Sequence, residues 1–480
     1  MTVSQVSPAD LFMELWKECS ELLPSQISTA LRPNATFAKS VRVALRSNDG
    51  AKACSDVESS LLGLSPLELL GGKLVVLDEI DRLFLTIHPR SFNRVGTQVL
   101  TPPPRWLRLL KIKRAGGAGY AVRDDNVLIA RGPLSRIPRA DIASSAVCFA
   151  DLFAALSVVP RKLFLHSVPI NIVHSVKGGA ADGVAPGGKI GTESVTFIPV
   201  AISDSDLEIE ERKIGANIFV RYGSSRTVNV SEKITDALKS AKYSDVAIAP
   251  ELICSELDAD KLCDLIAKDA GLHRVFIAGS GATVDSHNGQ HWNEARVVNG
   301  IGTVLWRQRK VWPAGLNSAR ALEYGLSDPG TGLSMEDNCS SNEVHVVDID
   351  SFGRCVVLIC QDFEAEPLAA DLLRLYQPDW VFVPILDRGI DCGRWVHSRA
   401  FALSTLSPAR FVVSSSTALA DRAKLTTEVA CGMAIGPKDT FGDDAGRVHA
   451  LAYLADANQF ATLKWREKWD FTLLSKISKK

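Results

Sequence analysis

From about residue 195 onward the chain alternates short apolar runs with amphipathic helical runs, and this alternation constrains its fold more than any other feature. VTFIPVAI (195–202) reads as a buried strand, SEKITDALKSA (231–241) as a helix, DVAIAPE (245–251) as a strand ending on a carboxylate, and DADKLCDLIAKDAG (258–271) as a helix. VFIAGSGA follows, then ARVVNGIGTVLWRQRK, two strands with a Gly-marked turn, and EVHVVDIDSFGRCVVLICQD, which repeats that form. AEPLAADLLRLY predicts a helix, WVFVPI a strand, RWVHSRAFALSTLS a helix and RFVVSSSTA a strand. Helices alternating with strands and strand pairs predict an α/β sandwich, with sheets inside and helices outside.

The 480 residues exceed what one hydrophobic core usually serves, so two domains are expected. The seam is GGAADGVAPGGKIG, residues 178–191, rich in Gly, Ala and Pro and without apolar periodicity. It separates an accessory domain of mixed α/β character (1–177) from the alternating region (192–480). In the first part, Leu11, Phe12, Leu15, Trp16, Cys19 and Leu22 recur at helical spacing, with Ser7 as N-cap and Pro8 opening the helix. LVVLDEIDRLFLTI (74–87) suits a helix or a strand running into one. GYAVRDDNVLIARG (119–132) predicts a β-hairpin. Its Asp124-Asp125 pair is the kind that holds divalent metals in a polymerase palm, but Asp-Asp-Asn is also good turn chemistry, and no second acidic metal motif accompanies it.

Charge is unevenly divided. Residues 1–190 carry 23 Lys+Arg against 16 Asp+Glu, and the remainder 31 against 39, although the whole chain nets −1. RWLRLLKIKR (105–114) concentrates the positive excess and is either a solvated face or a docking patch for an acidic protein or nucleic acid. Ten scattered cysteines with no CxxC pair and no Cys/His cluster at zinc spacing predict reduced thiols and no bound metal. The start MTVSQVSPADLFMELW has no secretory pattern and no stretch has membrane-spanning length, so the expected compartment is the cytoplasm.

In open α/β architectures, functional groups gather at the carboxyl ends of strands, where loops converge on one crevice. Glu251, Lys310 and Cys360 occupy three such ends. Singly, each has an ordinary alternative: a helix cap, a surface charge, a small core hydrophobe. Together and in order they resemble the nitrilase, or carbon–nitrogen hydrolase, superfamily. Further pieces carry that resemblance over roughly 194–465: Ala249-Pro250-Glu251, Asn293-Glu294-Ala295, Arg309-Lys310, Gly353-Arg354, Cys360-Gln361-Asp362, Gln377-Pro378-Asp379-Trp380, Val383-Pro384, Trp395 and Arg399-Ala400.

The resemblance implies a four-layer αββα sandwich and a Glu–Lys–Cys triad needing no metal or organic cofactor. Glu251 would be general base, Lys310 the oxyanion partner together with the backbone N–H of Gln361, and Cys360 the thioester-forming nucleophile. An amide or carbamoyl-type small molecule is the expected substrate, a nitrile the alternative. A non-catalytic scaffold recruiting a partner through the basic N-terminal region is the rival from another class, and an amidase supplying ammonia to a second protein is a third reading. Many members carry a second glutamate between lysine and cysteine. Glu323 is the first candidate here and Glu336 the second. The segment after Cys360, Phe363-Glu364-Ala365-Glu366-Pro367, departs from the family's usual Phe-Pro-Glu. Asp362 reads as a helix cap, Cys355 as a core thiol, and His287 and His291 as loop or rim residues. Apolar residues of the 366–376 helix (Leu368, Ala369, Leu372, Leu373, Tyr376), broadened by Ala370 and Leu375, either cover the helix's own sheet or pair two copies in a homodimer, the reading favoured here.

Overall fold

The computed structural model describes residues 7–88, 102–114, 119–135, 149–163, 168–174, 192–349, 352–425, 427–437, 447–454, 459–465 and 471–473. The chain forms two compact units, one of residues 1–162 and 172–176, the other of 163–171 and 177–480. The 178–191 segment lies outside the described residues. Residues 163–171 fall upstream of the expected seam yet cluster with the second unit, where the Asn171 side-chain amide donates to Glu343 at 2.5 Å.

The first unit is mainly helical. Its first helix, Pro8–Ser20, opens as expected: Pro8 is at the first position, and the Asp10 carboxylate accepts from the N–H and hydroxyl of Ser7 at 2.9 and 2.7 Å. The 74–87 run resolves to helix, within Leu69–Phe84. Ala121–Arg123 and Asn126–Ala130 make the hairpin, joined antiparallel to Leu156–Pro160. At its tip Asp124 takes φ +52° and pairs with Lys17 at 2.9 Å, which is turn chemistry. The basic run is the helix Arg105–Arg114. It buries Trp106 and Leu107 in a core containing Phe12, Leu77 and Phe84, and leaves Arg105, Arg108, Lys111 and Lys113 exposed.

The second unit is built on two large sheets. In the first, parallel pairing of Ser194–Phe197, Ser244–Ile248 and His273–His287 continues through antiparallel Gln290–Asn299 and Val304–Arg309. In the second, Gly353–Val357, Trp380–Ile385 and Arg410–Ser415 run parallel, flanked by antiparallel Val344–Ile349 on one side and Gly432–Pro437 with Arg447–Ala452 on the other. These strands are apolar on both faces because both faces are covered. Ala247, Phe276 and Ala278 pack under the helices Val230–Ala241 and Glu256–Lys268, through Ile234, Leu238, Leu262 and Ile266. Between the sheets, Ser414 donates to the Ile248 carbonyl at 3.5 Å, and an added Cβ on Gly432 would strike the Phe197 ring. Leu368–Tyr376 and Trp395–Leu403 are the helices of the second sheet's connections, completing the α/β/β/α order that the family resemblance implies. No described helix is long and apolar enough to cross a membrane.

In the 368–376 stripe, Leu368, Ala369, Leu372, Leu373 and Tyr376 serve the unit's own core and are at most 1% exposed, while Ala370 and Leu375 are half-buried.

Candidate active site

A small four-stranded sheet stands apart from the two large ones. It is ordered Gly315–Leu316, Ser334–Glu336, Asn217–Ser224, Leu207–Ile214. It supplies Tyr222, Leu316 and Glu336 to the wall of a cavity of about 260 Å³, whose floor includes Glu251 and Cys360.

Three strand ends deliver the triad. Gly353–Val357 runs on through Leu358 and Ile359 to Cys360, whose N–H donates to the Pro384 carbonyl at 3.1 Å. Cys360 takes φ +45°, ψ −101°, a conformation that a residue with a Cβ adopts only when its surroundings hold it there. The turn leads directly into the short helix Gln361–Glu364 and presents the thiol to the cavity. Ser244–Ile248 leads to Glu251, tied through its N–H to the Ile385 carbonyl at 3.3 Å and followed by Leu252 at φ +63°. Val304–Arg309 leads to Lys310, whose N–H donates to the Asn293 carbonyl at 2.8 Å.

The side chains meet at the buried end of the cavity. The Lys310 ammonium donates to Glu251 Oε1 at 2.7 Å and to Glu336 Oε2 at 2.5 Å, and both Lys310 and Glu251 are only 1% exposed. Asn293 Nδ2 also donates to Glu251 Oε1 (3.0 Å), and the Leu386 N–H donates to Oε2 (3.1 Å), which fixes the carboxylate plane. Cys360 and Glu251 line the same cavity, close enough for each to shift the other's proton affinity. Gln361, first in its helix, has no carbonyl one turn back for its N–H, so that donor is available beside the nucleophile.

Electrostatics assign protonation states. Burial, reinforced by Glu336 and opposed by Lys310, raises the Glu251 carboxyl to about 7. Burial and the Glu251 charge together push the Cys360 thiol well above its ordinary value, Lys310 opposing, so the resting nucleophile is a thiol. Burial works against the Lys310 ammonium, but Glu251 and Glu336 outweigh it and hold the lysine charged. A carboxyl poised near neutrality beside a protonated thiol is the arrangement a proton acceptor needs.

Glu336 is the second glutamate of the site. Besides Lys310, it accepts from the Ala314 N–H at 2.7 Å. Glu323, the first candidate from sequence, is corrected: its carboxylate is 52% exposed, pairs with Arg388 at 2.9 Å and does not line the cavity. Spacing alone favoured Glu323, whereas Glu336 ends a three-residue strand too short to leave a periodic signal.

Asp362 is also corrected. It is buried and accepts from the Val311 and Trp312 N–H groups, all at 3.0 Å, rather than capping its own helix. It thereby ties the residue two beyond Cys360 to the residues after Lys310, a positioning role that sequence reasoning missed. Cys355 is fully buried, as expected of a core thiol. His287 and His291 flank the tight turn of a hairpin outside the cavity lining.

Expected substitution effects separate the two glutamates. Glu336→Gln weakens the hold on Lys310 and lowers kcat/KM by about 10–100-fold, since a group aiding charge placement in the transition state typically contributes at that level or above. Glu323→Gln leaves kcat/KM within about twofold, as a surface pair is worth little. Steady-state rates of the two variants side by side check this, and equal losses would return Glu323 to the site.

The second unit is therefore a four-layer α/β/β/α sandwich with a buried cysteine–carboxylate–lysine centre. No family model matches the sequence, and no curated protein matches it. Solved structures do match, at low identity in the examples that follow. They include Saccharomyces cerevisiae Nit3, described as a member of branch 10 of the nitrilase superfamily (13% identity, 60% of this chain and 91% of that chain, TM-score 0.33). An amidase from Nesterenkonia sp. matches at 13% identity, over 55% of this chain and 91% of that one, with TM-score 0.33. A carbon–nitrogen hydrolase from Helicobacter pylori G27 matches at 14%, over 59% and 88%, with TM-score 0.32.

Proposed function

We propose that the second unit hydrolyses a non-peptide carbon–nitrogen bond of a small amide or carbamoyl compound through a thioester on Cys360. The observation that carries this reading is that Cys360 and Glu251 line one small cavity, with buried Lys310 bonded to Glu251 at 2.7 Å and Cys360 held at φ +45°.

In the reaction, Cys360 Sγ attacks the amide carbon while its proton passes to Glu251. The oxyanion that forms is stabilised by the Lys310 ammonium and the Gln361 N–H. Collapse breaks the C–N bond, Glu251 returns the proton to the departing nitrogen, and ammonia or an amine leaves. Water then attacks the thioester carbon, giving its proton to Glu251. Collapse releases the carboxylic acid, and the thiol is restored. Glu336 keeps Lys310 charged and aimed while Glu251 changes protonation state. Asp387 fixes the opposite wall: it accepts from the Tyr324 hydroxyl and the Trp395 indole N–H, both at 2.5 Å. All three line the cavity.

The test is ammonia or amine release from a panel of short aliphatic, aromatic and carbamoyl amides, with the corresponding nitriles alongside. Turnover of at least one amide, partitioning to a hydroxamate when hydroxylamine is added, supports the reading. Silence across the panel, with no hydroxamate formed, contradicts it. The acid limb of kcat/KM follows from the same site. Glu251 accepts a proton only when ionised, so the rate falls as pH drops through about 7, the value to which burial raises it. A pH profile flat between about 5 and 8 would remove Glu251 from the base role.

A further inference from the structure

Cys392, His397 and His449 come together from three different elements of the second unit. Cys392 lies on the loop after the Trp380–Ile385 strand, His397 on the helix Trp395–Leu403, and His449 on the strand Arg447–Ala452. One ligand atom from each lies within 4.8 Å of the other two. We propose that these three side chains form a binding site for a Zn²⁺ ion, separate from the Glu251–Lys310–Cys360 centre, with its fourth position open to water.

Geometry is the first support. With Zn–S near 2.3 Å and Zn–N near 2.0–2.1 Å, a tetrahedral ion places its sulfur and nitrogen ligands about 3.6 Å apart. Cys392 Sγ and His449 Nε2 are 3.7 Å apart. The His397 and His449 rings stand edge to face, centroids 5.1 Å apart at 87°, so they do not stack. Two imidazoles sharing one ion can meet in that way.

An unmet hydrogen bond is the second support. His397 Nε2 is buried and has no hydrogen-bond partner among the described residues. A buried polar atom left in that condition calls for water or an ion. The chemistry of the donors is the third: one thiolate and two imidazoles suit a borderline ion such as Zn²⁺ and are a poor match for Mg²⁺ or Ca²⁺, which take oxygen ligands. Cys392 and His449 are exposed, which leaves a route in for the ion and room for a water ligand.

The sequence hides this site. Cys392 and His397 are five positions apart, but His449 lies on a distant strand that the antiparallel pairing with Gly432–Pro437 brings alongside. The loop that carries Cys392 begins at Leu386 and Asp387, which wall the active-site cavity. A bound ion would therefore brace the far end of that loop against the second sheet.

Cobalt titration of the chelator-stripped full chain tests the assignment. It is done in a Cys360→Ala background so that the cavity thiol contributes nothing and the outcome is independent of the proposed catalysis. One equivalent of Co²⁺ should produce a thiolate-to-cobalt charge-transfer band with tetrahedral visible bands, and Zn²⁺ should bleach both. Cys392→Ser should abolish the charge-transfer band, and His449→Ala should weaken binding at least about tenfold. Absence of the bands, or bands that persist in Cys392→Ser, would overturn the site and reduce the cluster to a surface thiol–imidazole contact.

Discussion

Cys360→Ala abolishes turnover, by at least about 10⁴-fold, because removing a nucleophile leaves only the binding and oxyanion contributions of the site. The fold survives the change. The side chain borders a cavity, so truncation does not open a sealed void, and the unfolding free energy should change by less than about 1 kcal/mol. Cys355→Ala is the matched control. It removes a fully buried thiol from the same strand, costs about 1 kcal/mol of packing and leaves the rate near normal. Parallel rate and urea-unfolding measurements on the two variants check both halves. A Cys360→Ala protein that still turned over substrate would remove the thioester.

Lys310→Met has the second largest effect, and it falls on rate and stability together. Losing the oxyanion partner lowers kcat by about 10²–10³-fold. Glu251 and Glu336 then face each other in a buried site without the cation that now sits 2.7 and 2.5 Å from them, which costs about 3–5 kcal/mol. The sign of the pH dependence follows. Without the ammonium, nothing opposes the burial and the Glu336 charge that raise the Glu251 carboxyl, so the folded state holds that proton more tightly than the unfolded chain. The variant's stability deficit is smallest below the ordinary carboxylate range and grows as pH rises through it toward the folded values. Denaturation at about pH 4 and about pH 8 separates this from a simple packing loss, which would give the same deficit at both. Glu251→Gln should lose rate to a similar degree, since an amide cannot accept the thiol proton, but with the opposite stability signature: Lys310 keeps Glu336 as its partner.

The strand ends, together with the family resemblance, made the Glu251–Lys310–Cys360 cluster legible in the sequence. Glu251 and Cys360 follow apolar runs directly, and Lys310 follows the strand Val304–Arg309. What stayed hidden depends on contacts between distant segments. Glu336 sits on a strand whose only partners are the residues 315–316 and the Asn217–Ser224 strand, so nothing local marks it as a strand. Asp362 has the sequence position of a cap, but its carboxylate reaches the N–H groups of Val311 and Trp312, about fifty positions earlier. In the 368–376 stripe, Leu368, Ala369, Leu372, Leu373 and Tyr376 pack into the interior of their own unit, which helical spacing alone does not distinguish from a face for a partner copy. The expected seam, 178–191, lies outside the described residues, and residues 163–171 join the second unit because they reach the edge of its second sheet rather than because of their composition.

The most direct test of the central claim is covalent capture of the nucleophile, as a thioether by alkylation or as the acyl thioester during turnover. Protein incubated with a 2-haloacetamide at stoichiometric ratio, or quenched during amide turnover, is digested and mapped by mass spectrometry. One adduct per chain on the peptide containing Cys360, lost in Cys360→Ala and slowed in Lys310→Met, is the predicted result. Labelling spread over the exposed cysteines with Cys360 unmodified would contradict the account.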